Sequence, residues 1–150
     1  MAKQKRHIDP EKIHLRHIEV LFADIGEVED SIAIANIEGQ VAHTSAYNIS
    51  ENLFMMGLQS VVKTVGLDTP LECKFRVDFH FEVDNLEEMF EYNEEDFPIF
   101  EELFVATLAG IAYSTFRGII FEKTSGTPWN EIILPVLNPA TILNSWIESE

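Results

Sequence analysis

The sequence predicts an α+β domain: an antiparallel sheet, then a long buried helix, an extended crossover and a short C-terminal helix. Three observations carry this. Residues 71–84 alternate without a break. Leu71, Cys73, Phe75, Val77, Phe79, Phe81 and Val83 are apolar, and Glu72, Lys74, Arg76, Asp78, His80, Glu82 and Asp84 between them are polar. Successive strand side chains point to opposite faces, so this is a long strand with one dry and one wet face. From about Pro98 the apolar period becomes helical. The order, strand-like segments first and helices after, is that of α+β folds.

Taken in chain order, residues 13–23 roughly alternate and then reach Gly26 and an acidic turn, which predicts a strand. Residues 40–49 are strand-like and are punctuated by Ser50, Glu51 and Asn52. Residues 53–65 are rich in Met and Val on both parities, as in a strand covered on both faces. Gly66 to Pro70 reads as a turn that makes a hairpin with the strand at 71–83.

Residues 82–102 hold ten acids and no base, and the 84–97 stretch reads as a long acidic loop. Asp96 is then the expected helix N-cap, with Pro98 in the first turn and Glu101 and Glu102 at the positive end of the dipole. Phe100, Leu103, Phe104, Thr107, Leu108 and Ile111 form one helical stripe, with Ala109, Ala112, Tyr113, Phe116 and Ile120 in a second beside it. Such a helix is expected to be buried on nearly all sides. Ser125 to Pro128 stops it, Trp129 to Leu137 is extended, and Asn138-Pro139 opens a terminal helix reaching Trp146.

The 150 residues carry a net charge of −16, yet five of the ten bases (Lys3, Lys5, Arg6, Lys12, Arg16) lie in the first 16. Residues 1–11 are therefore read as a flexible basic tail and 12–150 as one acidic domain. An acidic body repels phosphate, so neither nucleic acid nor anionic lipid is an expected partner. The start has no apolar signal region, and lone Cys73 can make no bridge within the chain, which points to the cytoplasm. Leu103 to Phe121 has the length of a membrane span, but Arg117 would cost about 2.5 kcal/mol or more inside a bilayer, so no membrane insertion is expected.

No catalytic or metal pattern stands out. His14 and His17 are three apart on a strand and should face opposite ways, and His43 and His80 lack Cys or acidic partners at ligand spacing. Cys73 lies on the dry face, where a thiol is inert. The paired acids sit in a solvated run without an apolar pocket to separate their pKa values. No cofactor, metal or enzymatic activity is expected. Arg117, single on an apolar helix, reads as an anchor to a strand acid or carbonyl. Eleven Phe, two Trp, three Tyr and four Met exceed what one domain of this size buries, so further copies or an apolar partner should cover the excess.

The C-terminal third resembles the SecB family of export chaperones. Thr107 to Tyr113, Arg117, Ser125-Gly126, Trp129 and Leu134-Pro-Val-Leu-Asn138 follow the family's order. Residues 53–65 and 71–83 fit its second and third strands, and 13–23 with 40–49 fit its interrupted first strand. The resemblance implies a four-stranded sheet and a homotetramer, a dimer of dimers with the long helices sandwiched between sheets. It implies ATP-independent binding of unfolded, export-competent polypeptides. The client groove is expected at Trp129, Ile132, Leu134, Phe75, Phe79 and Met56.

Glu82, Asp84, Glu87 and Glu88 are expected as the acidic surface for the SecA motor, with Arg117 and Asn138 structural. The chain ends at Glu150 without the family's mobile tail, and the wet strand face is mixed, so client binding is expected more firmly than delivery to SecA. A SecB-like chaperone of a toxin–antitoxin system fits the same residues. A hot-dog thioesterase or small-ligand binder, using Asp96 or Glu102, is the alternative of another class.

Overall fold

In the computed structural model, which describes residues 8–28 and 36–147, four strands form one antiparallel sheet: β1 (Ile13–Asp24), β2 (Ile37–Asn48), β3 (Leu53–Thr64) and β4 (Glu72–Val83). Their spatial order is β1-β4-β3-β2. A small hairpin follows, β5 (Phe90–Tyr92) with β6 (Pro98–Phe100), then the helix α1 (Glu102–Thr124) and a single turn, α2 (Pro139–Ile142). Of the stretch read as a basic tail, residues 1–7 lie outside the described residues. Pro10–Lys12 form a 3-10 turn in which the Asp9 side chain accepts from the Glu11 amide.

The alternation in β4 does what the sequence predicts on its dry side. Cys73, Phe75, Val77, Phe79, Phe81 and Val83 are all buried. Their cross-strand partners on β3 (Val62, Ser60, Leu58, Met56, Phe54) share that face, and α1 lies across it. Residues 13–23 and 40–49 are not two pieces of one interrupted strand. They are β1 and β2, on opposite edges of the sheet.

β1 is irregular for a physical reason. Its register against β4 shifts between Leu15 and His17 and again between Val20 and Phe22. Each bulge inserts one residue and so reverses the parity of the residues after it. Ile13, Leu15, Ile18, Val20 and Ala23 thereby all take positions opposite the inward residues of β4. The same shifts put His14 and His17 on one face, opposite Glu82 and His80, and not on opposite faces as strict alternation implied.

The wet side of β4 is only half wet. Asp78 is 9% exposed and accepts a hydrogen bond from Arg76 Nε at 2.9 Å. The pair fits because its neighbour on β3 is Gly57. A Cβ there would stand 2.7 Å from Asp78 Oδ1 and 3.0 Å from Arg76 Nη2. Gly57→Ala should therefore displace the pair and destabilise the fold by about 1–3 kcal/mol, read as a lower denaturation midpoint at unchanged slope.

The 84–97 stretch is more ordered than a loop. Asn93 Oδ1 accepts from the amides of Glu95 and Phe97, both at 2.9 Å, and closes the β5–β6 hairpin. Asp96 sits in that turn at φ 62° and caps nothing. The helix starts later than expected, with Glu101 at its N-cap and Pro98 in β6.

At about 35 Å, α1 has the length and hydropathy of a membrane span, but Phe104, Leu108, Ala112, Phe116, Ile120 and Thr124 pack against the sheet. It is not buried on nearly all sides. Leu103, Ile111 and Phe121 are exposed on the side away from the sheet, because one chain supplies one sheet and the helix has two faces. The terminal helix ends at Ile142. Trp146 lies beyond it and pairs in parallel with His43 on the edge strand β2.

Candidate functional site

The crossover, residues 129–137, runs from the end of α1 back along it without regular secondary structure. Thr124 organises the reversal. Its buried hydroxyl donates to Ile120 O at 2.8 Å and accepts from the Ile132 amide at 2.8 Å. Its carbonyl takes the Thr127 hydroxyl at 2.7 Å. Asn130 and Glu131 both have left-handed backbone, φ 51° and 55°, which costs non-glycine residues about 1–3 kcal/mol each and persists only where surrounding contacts impose it.

Further along, Arg117 Nε donates to Leu134 O at 2.9 Å, and the Tyr113 hydroxyl donates to Pro135 O. Arg117 thus ties α1 to the crossover and not to a strand. Its charge lies 6.0 Å from the Tyr113 ring centre. Burial raises the Tyr113 pKa, and the neighbouring guanidinium opposes that shift. Asn138 caps α2 by accepting from the Ala140 amide at 3.0 Å.

The six residues expected to form the client groove are placed together, but inside. Trp129, Ile132, Leu134, Phe75, Phe79 and Met56 are each 4% exposed or less. They belong to this chain's own core and offer no surface to a client in this conformation. The strand residues face α1. In the crossover, the extended backbone turns Ile132 and Leu134 inward and sends Ile133 out at 67% exposure, with Val136 at 82%.

Trp129 Nε1 donates to Gly26 O at 2.7 Å, which pins the crossover to the segment after β1. That approach needs glycine, because a Cβ at position 26 would run into the Glu72 carbonyl oxygen. Ranking by apolarity alone selects core residues. The alternate parity of the crossover is the signal that finds Ile133.

Exposed apolar side chains run along β1 (Leu15, Ile18, Val20, Leu21 and Phe22), and two further groups lie outside the main sheet. One comprises Ile133 and Val136 of the crossover. The other comprises Tyr92, Phe97 and Ile99 of the hairpin with Leu103 at the start of α1. Along the outer side of α1, a shallow groove of about 680 Å³ is lined by Leu103, Thr107, Gly110, Ile111, Ser114 and Pro139.

The predicted acidic surface follows the end of β4. Glu82 pairs with Arg16 at 3.3 Å, which offsets its charge, and Asp84 Oδ2 lies within hydrogen-bond distance of His14 Nε2 at 3.1 Å. Glu87 and Glu88 are exposed in the next turn, where Glu88 accepts from the Asn85 side chain at 2.8 Å.

Cys73 is fully buried, and burial pushes its thiol pKa up against a smaller opposing contribution from the Gly26 backbone. A protonated thiol in that place is a poor nucleophile. His43 is buried with Nδ1 3.1 Å from Ile142 O and 2.8 Å from Ser145 O, so it holds the C-terminal segment to β2. His80 does have acidic neighbours. The sheet brings Glu19 from β1 and Asp78 from its own strand alongside it. The hot-dog arrangement is set aside on topology, because α1 follows all four strands of the main sheet. Asp96 and Glu102 occupy the hairpin turn and the first helical residue.

No family model matches the sequence, and no curated protein matches it. Among solved structures the chain is similar to the Mycobacterium tuberculosis SecB-like chaperone Rv1957, solved in complex with a ChAD peptide from the Rv1956 HigA1 antitoxin. The identity is 14%, the TM-score 0.57, and the match covers 85% of this chain and 88% of that one. The chain has a SecB-like fold.

Proposed function

We propose that this chain is an ATP-independent chaperone that binds unfolded polypeptide segments as a homotetramer, a dimer of dimers, in the cytoplasm. The observation that carries the reading is the apolar side chains left exposed on the crossover (Ile133, Val136) and, separately, on the hairpin (Phe97, Ile99). Apolar area contributes about 25 cal/mol per Å² without directional demands, so it holds many sequences equally well. The SecB-like fold supports the reading. So does the polypeptide character of the ligand in the mycobacterial structure.

The buried six then act by fixing the crossover, and their exposed neighbours make the contact. Glu82, Asp84, Glu87 and Glu88 would face a basic partner surface, as delivery to the SecA motor requires. A second reading is favoured by the antitoxin peptide of the similar structure: a chaperone dedicated to one antitoxin.

The test replaces Ile133 and Val136 together by Ser and measures the anisotropy of a labelled, permanently unfolded polypeptide. Binding should weaken about tenfold or more at unchanged oligomer mass, since two half-lost apolar contacts amount to about 1.4 kcal/mol or more. Unchanged binding removes the crossover from the client site. A chain that binds an antitoxin segment but no unrelated unfolded protein selects the second reading.

A further inference from the structure

We propose that the outer face of the sheet, opposite α1, carries a site for a divalent transition-metal ion, built from His80, Glu19 and Asp78. One ligand atom from each lies within 4.8 Å of the others. Asp78 and His80 are two apart on β4 and share a face, and Glu19 is the β1 residue directly opposite Asp78. The β1 bulge before His17 makes this possible, because in unbroken alternation from Ile13 position 19 would turn toward α1.

An independent observation points to a ligand there. His80 Nε2 is shielded from solvent and, among the described residues, has no hydrogen-bond partner. The His80 side chain as a whole is 40% exposed, but this one nitrogen is shielded, and an imidazole nitrogen so placed without a partner is costly. Glu19 Oε2 lies 3.8 Å from it. That gap is too wide for a hydrogen bond and a few tenths of an ångström wider than the roughly 3.4 Å between two ligands held at about 2.0–2.2 Å on a tetrahedral ion.

The electrostatics suit a dication. Arg76 engages Asp78 Oδ1 at 2.9 Å, and the carboxylate keeps its second oxygen. Two carboxylates against one guanidinium leave a net negative charge. Glu19 is exposed, so a rotamer change at its side chain can shorten the span. The His17 ring lies 5.5 Å from that of His80, next to the open side. One imidazole with two carboxylates is a donor set for Zn²⁺, Co²⁺ or Ni²⁺ over Mg²⁺, which prefers all-oxygen octahedra. A bound ion would staple the edge strand β1 to β4.

The experiment uses tag-free full-length chain, stripped with chelator and titrated with Zn²⁺ by calorimetry, with the melting temperature as second readout. One Zn²⁺ per chain is expected, with a rise in melting temperature that Mg²⁺ does not reproduce. E19Q, at an exposed position that leaves the fold intact, and H80Q should each weaken binding about tenfold or more. H14A, whose side chain pairs with Asp84 on the same face, should leave it unchanged. Absence of Zn²⁺ binding, or binding that survives both E19Q and H80Q, overturns the site.

Discussion

Trp129→Ala should lower the stability of the folded chain by about 3–5 kcal/mol, the usual cost of truncating a buried Trp. Domains of this size are stable by only about 5–15 kcal/mol, so the loss is a large share of the total. The indole is 4% exposed, and its Nε1 holds Gly26 O at 2.7 Å. Removing it opens a cavity and leaves the partly buried Gly26 carbonyl without its donor. Ile133→Ala, four residues on and exposed, should change stability by about 0.5 kcal/mol or less. Equilibrium urea unfolding followed by far-UV circular dichroism separates the two. Equal midpoints for both variants would mean that the crossover is not anchored as described. The contrast also guards the binding experiment: under the proposed function a variant at Trp129 should lose binding through the fold, whereas one at Ile133 should lose it through the surface.

Ile111→Asp should split the assembly without unfolding the chain. α1 buries one face on its own sheet and leaves Leu103, Ile111 and Phe121 uncovered on the other. Gly110 is covered by this chain's own Pro139, whereas Gly118 faces open space and carries no side chain to hold a second helix away. A tetramer of 17.1 kDa chains has a mass of about 68 kDa, and light scattering after size exclusion should report it for the wild type. An Asp on the apolar contact would be buried without a partner in every subunit, at a cost of several kcal/mol. The mass should fall to that of a smaller species with the helical dichroism retained. A wild type that runs as a monomer at micromolar concentration would rule out the tetramer.

How much of the fold was legible in the sequence depended on local regularity. β4 and the β3–β4 hairpin could be read directly, because burial of one sheet face imposes a strict period of two on residues 71–84. β1 could not. Two bulges keep Leu15, Ile18, Val20 and Ala23 opposite the inward residues of β4 by reversing parity, while Leu21 and Phe22 do not share that side, so strict alternation misassigns His17 and Glu19. The β5–β6 hairpin was hidden because acidic side chains dominate the pattern, while the residue that closes it is Asn93, through backbone amides.

The helix stripes were legible, but which face stays uncovered was not, since Leu103 and Ile111 look as apolar as Phe104 and Leu108. For the same reason hydrophobicity chose six core residues as a binding surface. The identity of a residue states its preference for burial. Only the fold states whether one chain can satisfy it.

The most direct test of the proposed chaperone activity is the light scattering of a chemically denatured model protein diluted into buffer containing this protein and no nucleotide. The wild type should suppress aggregation at near-stoichiometric amounts, and suppression should be lost in Ile133→Ser/Val136→Ser at unchanged oligomer mass. Aggregation that proceeds at the same rate and extent with and without the wild-type protein would contradict a chaperone role.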